Sequence, residues 1–364
     1  MPVLDFTSAL YLGLRHPSPS LDSWSGLTTG KPAALEPPPG SAAIAGRFAA
    51  MVGCECATSV ASTLHLFWDL FGMFARDRVS IYMDQGTYAI ARWGVERAAA
   101  RGVPVRQFPH HDAATLQALI EQDRHAGRRP IVVADGFCPT CGEPAPVVAF
   151  VQCVARYGGH VVLDDTQALG VLGKQDGASC GRGGGGSLQW QGIKSPAVIV
   201  GSSLAKGFGV PMAVLAGSAS MIRSFEEQSE TRVHCSPPSQ AALRAAEHAF
   251  AVNRTHGDRL RRHLAQLVRR FRAGLRALGL AADGGLFPVQ TLKPAGVAAE
   301  TLYSRLLHLG IRTIVIRRCR EIGTHVAFLI TALHRPSDID QAVEAIGRAM
   351  TFDYSVQQPA ARAS

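Results

Sequence analysis

Apolar runs of strand length alternate with amphipathic segments of helix length between residues 79 and 163. The apolar runs predict strands at Val79–Met83, Val103–Phe108, Ile131–Ala134 and His160–Leu163. The segments between them predict helices at Thr87–Arg101, Asp112–His125 and Pro146–Tyr157. Because strands that alternate with helices run parallel, this pattern predicts an α/β fold with a mainly parallel, doubly wound sheet that binds ligands at the carboxyl ends of its strands.

A smaller α+β domain is predicted after residue 279, where the pattern changes. It follows a long helix predicted at Pro237–Leu278, and it contains three strands and two helices, at Phe287–Thr291, Ile311–Ile316, Val326–Thr331, Val297–Leu309 and Ser337–Met350. The proline-rich start of the chain predicts an arm that wraps the body. We therefore divide the chain into an N-terminal arm (1–45), a large domain (46–279), a small domain (280–354) and a tail (355–364).

Lys206 lies between two apolar runs that predict buried strands, Ala197–Val200 and Met212–Ala216. A buried ammonium group is costly unless it is paired or neutralised, and a Schiff base with an aldehyde cofactor neutralises it. The hydroxyl groups of Ser202 and Ser203, just before the lysine, are suited to bind a phosphate group. The alternative is a lysine on an exposed loop between two strands.

A second candidate phosphate site lies at the run STLHLFWDLF, which predicts a helix with Ser62 or Thr63 as its N-cap. The free N–H groups at a helix N-terminus attract anions. A cap without any ligand explains the same residues.

The composition of the chain helps to choose between the ligand site and the alternatives without a ligand. The 364 residues carry a net charge of +9, which comes mainly from arginine, since the sequence has five lysines. Of these, Lys206 is the one with strand-like apolar runs on both sides. Much of the charge lies at seven arginines between Arg259 and Arg276, which we interpret as the solvated face of an amphipathic helix. The excess charge would suit an anionic substrate such as a nucleotide-bearing thioester, and no nucleic-acid motif accompanies it.

The location of the protein is predicted to be the cytoplasm. No run of 18 apolar residues predicts a membrane span, and the first residues lack the basic segment and cleavage site of a signal peptide. Eight cysteines in such a chain are expected to remain reduced thiols.

Asp164 supplies the partner that an aldehyde cofactor needs. It ends the predicted strand His160–Leu163, about forty residues before Lys206, at the edge where parallel strands bind their ligands. In pyridoxal phosphate (PLP) enzymes a carboxylate pairs with the pyridinium nitrogen, the ring withdraws electrons, and a lysine holds the aldehyde. Together with the candidate phosphate sites, these residues predict a PLP site.

Six stretches of the chain match segments of one known family: VVLDDTQALGVLG, SSLAKGFG, LDFTSALYLGL, ADGFCPTCGEPAPV, CSPPSQAALRAA and FLITALHRPSDIDQAVEAI. Through them the chain resembles the α-oxoamine synthases, which are fold-type I PLP-dependent transferases with the fold of aspartate aminotransferase. The resemblance runs almost from end to end. It implies a homodimer with active sites at the subunit interface, and the decarboxylative condensation of an amino acid with an acyl thioester of coenzyme A or a carrier protein.

The resemblance also implies roles for individual residues. Lys206 would form the Schiff base and move protons, Asp164 would pair with the pyridine nitrogen, and Ser203 would bind the phosphate. Further candidates for the phosphate are Ser202, Ser62 and Thr63.

Several positions depart from the family pattern around the cofactor. Gln167 stands where the family has a histidine that hydrogen-bonds the phenolic oxygen, and a glutamine amide donates there without titrating. Gln85 aligns with the histidine that stacks on the pyridine ring, and His234 aligns with a threonine that the partner subunit provides.

The substrate carboxylate would lose its usual ligand. His325 and Ala327 occupy the two positions of the strand whose arginine holds this carboxylate in the family, and alanine cannot replace an arginine. Arg317, Arg318 or Arg320 from the preceding loop would have to substitute. These changes predict a non-standard substrate. Transamination, or a lyase or substitution reaction that uses Cys138 or Cys141, stays open, as does a catalytically degenerate partner protein that binds the cofactor.

The pair Cys138 and Cys141 allows three interpretations. It could be half of a zinc site, with Cys54 and Cys56 as a distant second half, or a redox-active or nucleophilic pair. The interpretation we favour on sequence is that two small thiols shape a pocket, and no metal is assigned.

Overall fold

The computed structural model describes residues 3–177, 180–293, 296–317 and 323–351. The strands in these residues are β1 (Leu4–Asp5), β2 (Cys56–Val60), β3 (Val79–Asp84), β4 (Val105–Phe108), β5 (Arg129–Asp135), β6 (Phe137–Cys138), β7 (Glu143–Pro144), β8 (His160–Asp164), β9 (Val198–Ser203), β10 (Ala213–Gly217), β11 (Val289–Leu292), β12 (Ile311–Arg312), β13 (Ile314–Arg317) and β14 (Thr324–Leu329).

The α-helices in the same residues are α1 (Ser41–Val52), α2 (Thr63–Phe74), α3 (Ala89–Ala100), α4 (Ala113–Asp123), α5 (Val147–Ala155), α6 (Gly186–Gln191), α7 (Ala219–Gln228), α8 (Glu230–His234), α9 (Gln240–Val252), α10 (Asp258–Ala277), α11 (Ala299–His308) and α12 (Pro336–Thr351). Short 3₁₀ segments lie at Ser18–Ser20 and Arg124–Ala126. No helix in the described residues is long and apolar enough to cross a membrane.

A seven-stranded sheet with the order β2-β10-β9-β8-β5-β3-β4 forms the centre of the molecule. The pairs β3–β4, β3–β5, β5–β8 and β8–β9 are parallel, and β10 is antiparallel to both of its neighbours. The strands in the middle of the sheet are buried on both faces, which explains why they appear in the sequence as continuous apolar runs. The prediction of a mainly parallel α/β sheet is confirmed.

The order of the strands gathers acidic residues at one edge. Strands β3, β5 and β8 are neighbours, and they end in Asp84, Asp135 and Asp164. Asp135 and Asp164 are direct register partners. The carboxyl ends of the parallel strands therefore place these side chains where doubly wound folds bind ligands.

The C-terminal part forms a three-stranded antiparallel sheet, β11-β14-β13, packed with α10, α11 and α12. The arm joins this part, because β1 pairs with β12 and the backbone N–H of Leu329 donates to Phe6 O at 2.9 Å. One hydrophobic cluster continues from the arm through α9 and α10 into this sheet. The division at residue 280 stays a prediction, and the predicted tail at 355–364 lies outside the described residues.

The long helix predicted at Pro237–Leu278 is confirmed between Gln240 and Ala277, where one of its turns is π-helical. The structure has α9 and α10 with a π-helical turn, Asn253–Gly257, between them. Arg261 lies at this turn and is 1% exposed, so it does not belong to the solvated basic face. Its guanidinium group donates to Gly170 O, Asn253 Oδ1 and Asp258 Oδ1, at 2.8, 2.8 and 2.6 Å. These bonds satisfy a buried charge and tie the helix to the loop after β8.

Several elements lacked a signal in the sequence. These elements are β1, β2, the hairpin of β6 and β7, and helices α6, α7 and α8. They are short, and contacts with distant parts of the chain stabilise them. Strand β2 pairs with β10 at the edge of the sheet, directly before the capped helix α2. A five-residue strand next to a long apolar helix cannot be separated from it by periodicity.

Candidate active site

Lys206 lies on the hairpin between β9 and β10. The hairpin is closed by Leu204 N–H donating to Met212 O at 2.9 Å and by Phe208 N–H donating to Leu204 O at 3.1 Å. The residue after the lysine, Gly207, has no room for a side chain, because a Cβ there would lie 2.3 Å from Leu169 O. This close approach holds the lysine against the loop that follows β8.

The charges of two carboxyl groups act on the Lys206 amine. Burial lowers its pKa, whereas Asp164 and Asp135 raise it, and the net pKa is lowered. The ring of Tyr88 faces the amine, with 5.7 Å between its centroid and Nζ. The lysine is therefore a half-buried amine with acidic partners and an aromatic neighbour, and it is not on a fully exposed loop.

Asp164 and Asp135 form a buried carboxyl pair. Asp164 Oδ1 accepts from Thr166 N–H at 3.0 Å, and Asp135 Oδ1 accepts from Tyr88 N–H at 3.0 Å. Burial raises the pKa of both groups, and the nearby Asp164 raises that of Asp135 further. The arrangement favours a proton on Asp135 and a negative charge on Asp164, which is also the carboxylate that Lys206 stabilises.

The hydroxyl groups of Ser202 and Ser203, before the lysine, differ in their hydrogen bonding. Ser203 N–H donates to Thr166 Oγ1 at 3.0 Å, and Ser203 Oγ accepts from Ala205 N–H at 3.2 Å, so the serine and Thr166 brace the hairpin. Ser202 Oγ is buried and has no hydrogen-bond partner among the described residues. A buried hydroxyl group without a partner costs free energy and is suited to a ligand that supplies one.

Ser62 is the N-cap of α2, as predicted. Its Oγ accepts from His65 N–H at 3.4 Å and lies 2.8 Å from His65 Nδ1. Thr63 is the first residue of the helix and is half-buried. The hydroxyl group of Ser62 is thus already bonded within its own cap.

Gln167 is oriented by a residue of the N-terminal arm. Tyr11 OH donates to Gln167 Oε1 at 2.7 Å, and Tyr11 is 1% exposed, so burial raises its pKa. The Tyr11 ring packs edge-on against Phe287 from the C-terminal part, with 5.6 Å between centroids. A residue from the start of the chain thus fixes a side chain that follows β8.

Tyr88, and not Gln85, lies beside the lysine. The backbone reverses directly after β3, where Gly86 N–H donates to Asp84 Oδ1 at 2.6 Å and Thr87 N–H donates to Asp84 O at 3.0 Å. Gln85 is therefore exposed, and Tyr88, the N-cap residue of α3, faces Lys206. The stacking of Gln85 on the cofactor ring stays a prediction, and Tyr88 is a second candidate for that position.

The remaining predicted residues lie elsewhere. His234 is exposed at the end of α8. His325 and Ala327 are fully buried within β14, and Arg317 is exposed at the end of β13. Arg318, Cys319 and Arg320 lie outside the described residues. Cys138 and Cys141 lie on the β6–β7 hairpin, which follows Asp135 directly, and no disulfide joins cysteines of the described residues.

Sequence reasoning missed Asp135, Tyr88, Thr166 and Tyr11. Asp135 ends an apolar strand, as Asp164 does, and this shared position was the available signal. Thr166 stands in the same motif as Asp164. The other two depend on a turn and on a contact between distant segments, which local patterns do not report.

A lysine on a β-hairpin, beside a buried carboxylate at the end of a parallel strand in a seven-stranded sheet, defines the chain as a fold-type I PLP-dependent enzyme. The family model for aminotransferase class I and II matches residues 49–346, and the chain belongs to this family. The predictions of the fold type and of PLP as the cofactor are confirmed.

Curated relatives carry the name 8-amino-7-oxononanoate synthase. The Alcanivorax borkumensis protein is 29% identical over 255 residues, covering 69% of this chain and 63% of the relative. The Alkalilimnicola ehrlichii protein is 30% identical over 261 residues, covering 70% of this chain and 64% of the relative. The match thus spans less than two thirds of the length of these relatives.

Two solved structures show the same fold. The 8-amino-7-oxononanoate synthase from Francisella tularensis has a TM-score of 0.76 at 18% identity and covers 96% of this chain and 98% of its own. The Sphingomonas wittichii serine palmitoyltransferase has a TM-score of 0.81 at 17% identity, with coverages of 95% and 87%. The fold similarity thus extends almost over the whole chain.

Proposed function

We propose that the protein is a PLP-dependent acyltransferase that condenses an amino acid or another amine donor with an acyl thioester, with loss of carbon dioxide. The observation that carries this proposal is the buried group of Lys206, Asp164 and Asp135 in a chain whose curated relatives are named as 8-amino-7-oxononanoate synthases. The departures around His325 and Ala327 support a non-standard substrate.

The residues fit PLP. Asp164 is a buried carboxylate that a protonated pyridine nitrogen would neutralise, and Ser202 Oγ is buried without a partner among the described residues. When bound, PLP supplies an electron sink for the negative charge that develops on the carbon next to the amino group. Lys206 would hold the cofactor and carry a proton at Nζ, and Tyr88 would cover one face of the ring.

The phosphate group would bind at hydroxyl and N–H donors. Ser203 and Thr63 remain our candidates, with Ser202 as the buried donor and the first N–H groups of α2 as a source of positive potential. Ser62 is the weaker candidate, because its hydroxyl group is bonded to His65. His234 would have to act from the second subunit, since it is exposed in its own chain.

Gln167 would donate its amide to the phenolic oxygen of the cofactor. Tyr11 OH occupies Oε1, which leaves the NH₂ group as the donor that points away from the tyrosine. Unlike histidine, an amide does not exchange a proton with this oxygen, so proton transfer would fall to Lys206.

Replacing Tyr11 by phenylalanine is expected to weaken PLP binding about fivefold, because a neutral hydrogen bond contributes about 1 kcal/mol. The affinity is measured by titrating the apoenzyme with PLP. Tyr157→Phe is the matched control, since Tyr157 bonds Glu121 on the surface at 2.8 Å. Equal affinities for Tyr11→Phe and the wild type would contradict the role of Tyr11 in orienting the amide.

We further propose a homodimer in the cytoplasm. The exposed apolar side chains of Trp24, Leu27 and Leu35 in the arm support a partner that covers them. Eight cysteines, with no disulfide among the described ones, support a reducing compartment. Arg317, exposed at the end of β13, is the described arginine that we propose for the substrate carboxylate.

The reaction is tested by incubating the holoenzyme with amino acids and acyl thioesters of coenzyme A. Carbon dioxide and free thiol are expected in equal amounts, and neither is expected with Lys206→Ala. A keto acid without free thiol would instead identify an aminotransferase. That outcome would overturn the proposed condensation and leave the cofactor site intact.

A further inference from the structure

The ends of three chain segments meet at one corner beside Asp135. Asp84 ends β3, His110 and His111 follow β4, and the β6–β7 hairpin carries the two cysteines. Ligand atoms of His110, Cys138 and Cys141 all lie within 4.8 Å of one another. Cys138 is 3% exposed and His110 is 5% exposed, so this cluster, which we call the Cys–His corner, is mostly buried.

The hairpin holds both sulfur atoms on one side. Cys138 pairs with Glu143, and Gly142 N–H donates to Cys138 O at 2.9 Å, which closes the turn after Cys141. Gly142 has a φ of 76°, the left-handed conformation that glycine adopts without strain. A tight Cys-x-x-Cys turn of this kind is typical of the ligand pairs of structural zinc sites.

His110 is oriented as a metal ligand would be. Its Nδ1 lies 2.7 Å from Asp84 Oδ1, and its Nε2 lies 3.5 Å from Cys141 Sγ. Histidines that bind metals characteristically donate their other ring N–H to a carboxylate, which fixes the ring and its tautomer. Asp84 also accepts from His111 N–H at 2.8 Å, so one carboxylate positions both histidines.

We propose that Cys138, Cys141 and His110 bind a zinc ion. With Zn–S bonds of about 2.3 Å and Zn–N bonds of about 2.05 Å, tetrahedral geometry places sulfur and nitrogen about 3.6 Å apart and two sulfurs about 3.8 Å apart. The observed separation of 3.5 Å between Cys141 Sγ and His110 Nε2 agrees with this value. Both cysteines would bind as thiolates and His110 through a deprotonated ring nitrogen, so zinc uptake releases protons.

The fourth ligand would be His111 or Glu143. Their ligand atoms lie within 4.8 Å of each other and of Cys141 Sγ. His111 has a φ of 60° and is the one described non-glycine residue with a positive φ. This conformation costs about 1 kcal/mol for a residue with a side chain, and observed strain of this kind points to a functional constraint.

The ion would fasten the ends of β3 and β4 to the hairpin after β5. The ligand Cys138 lies three residues after Asp135, so the ion would hold the rim of the candidate active site in place. Cys54 and Cys56 line a separate cleft with Ser41 and Glu226 and are in none of the clusters of metal-binding residues in the described chain. The proposed site needs no second cysteine pair, and it does not depend on the proposed condensation.

The test is the zinc content of the PLP-loaded enzyme, expressed with zinc in the medium and purified without a metal-affinity step. About one zinc per chain is expected in the wild type, at least about tenfold less in His110→Ala and in Cys138→Ser, and the wild-type content in Cys153→Ser. Asp84→Asn is expected to bind zinc about tenfold or more weakly, because it disturbs the orientation of His110.

Two measurements on the wild-type chain remain decisive if the variants fail to fold. A mercurial thiol reagent is expected to release zinc in step with the loss of two thiols. Replacement of zinc by cobalt is expected to give thiolate-to-cobalt charge-transfer absorption. Metal-free protein that also lacks this absorption, a disulfide between Cys138 and Cys141, or equal zinc loss in Cys153→Ser would overturn the proposal.

Discussion

Lys206→Ala is expected to abolish the visible absorption of lysine-bound PLP and to lower kcat by about 10³-fold or more. The variant removes the amine that holds the cofactor, and it also removes the group that carries the proton. Because burial lowers the pKa of this amine, its neutral form is more available for reaction than that of a surface lysine. The absorption spectrum and the rate of thiol release measure the two effects separately.

Two further variants complete this test. Lys206→Arg keeps a positive charge next to Asp164 but cannot hold the aldehyde, so it is expected to lose activity as fully as the alanine variant. Lys194→Ala removes an exposed lysine after α6 and is expected to behave like the wild type. A Lys206→Ala enzyme that keeps both the absorption and the rate would refute the assignment of the lysine.

Asp164→Asn is expected to lower kcat by about 10²-fold or more, because a neutral amide cannot keep the pyridine nitrogen protonated. Asp135→Asn makes the same chemical change on the neighbouring strand, and it is expected to lower kcat less than tenfold. Burial and the charge of Asp164 raise the pKa of Asp135, which favours its neutral form, and an asparagine is neutral as well. The asparagine would keep the oxygen that accepts from Tyr88 N–H.

The pH dependence of PLP affinity separates these two carboxyl groups. Burial raises the pKa of Asp164, and below this pKa the group is protonated and cannot pair with a pyridinium ion. Affinity is therefore expected to fall as the pH falls in the wild type and in Asp135→Asn. Asp164→Asn is expected to bind PLP weakly at every pH, without this acidic limb. Equal losses of activity in both variants would contradict the assignment of the charge to Asp164.

The departures from the family pattern affect the cofactor residues and the substrate residues of the candidate site differently. The residues that we propose for PLP lie together, since Lys206 and Asp164 adjoin Tyr88 and Asp135. By contrast, His325 and Ala327, which the resemblance aligns with the ligands of the substrate carboxylate, are both fully buried. This contrast supports the retention of the cofactor chemistry together with a change of substrate.

The sequence alone determined six of the seven strands of the central sheet and the two residues at the centre of the candidate site. Buried parallel strands need continuous apolar runs, so their positions are recorded locally. Asp164 was found because it directly follows such a run, at the edge where the carboxyl ends of parallel strands lie, and Lys206 was found because it lies between two such runs. The candidate reaction and cofactor came from the motifs that contain these residues.

The tertiary structure alone decided which other groups surround them. Asp135 adjoins Asp164 because β5 and β8 pair in register, and periodicity does not report which strands are neighbours. Tyr88 lies beside Lys206 because Asp84 binds Gly86 N–H and turns the chain. Tyr11 and the Cys–His corner unite segments far apart in sequence. Such contacts depend on strand order and on the packing of side chains, which a local pattern of polar and apolar residues does not encode.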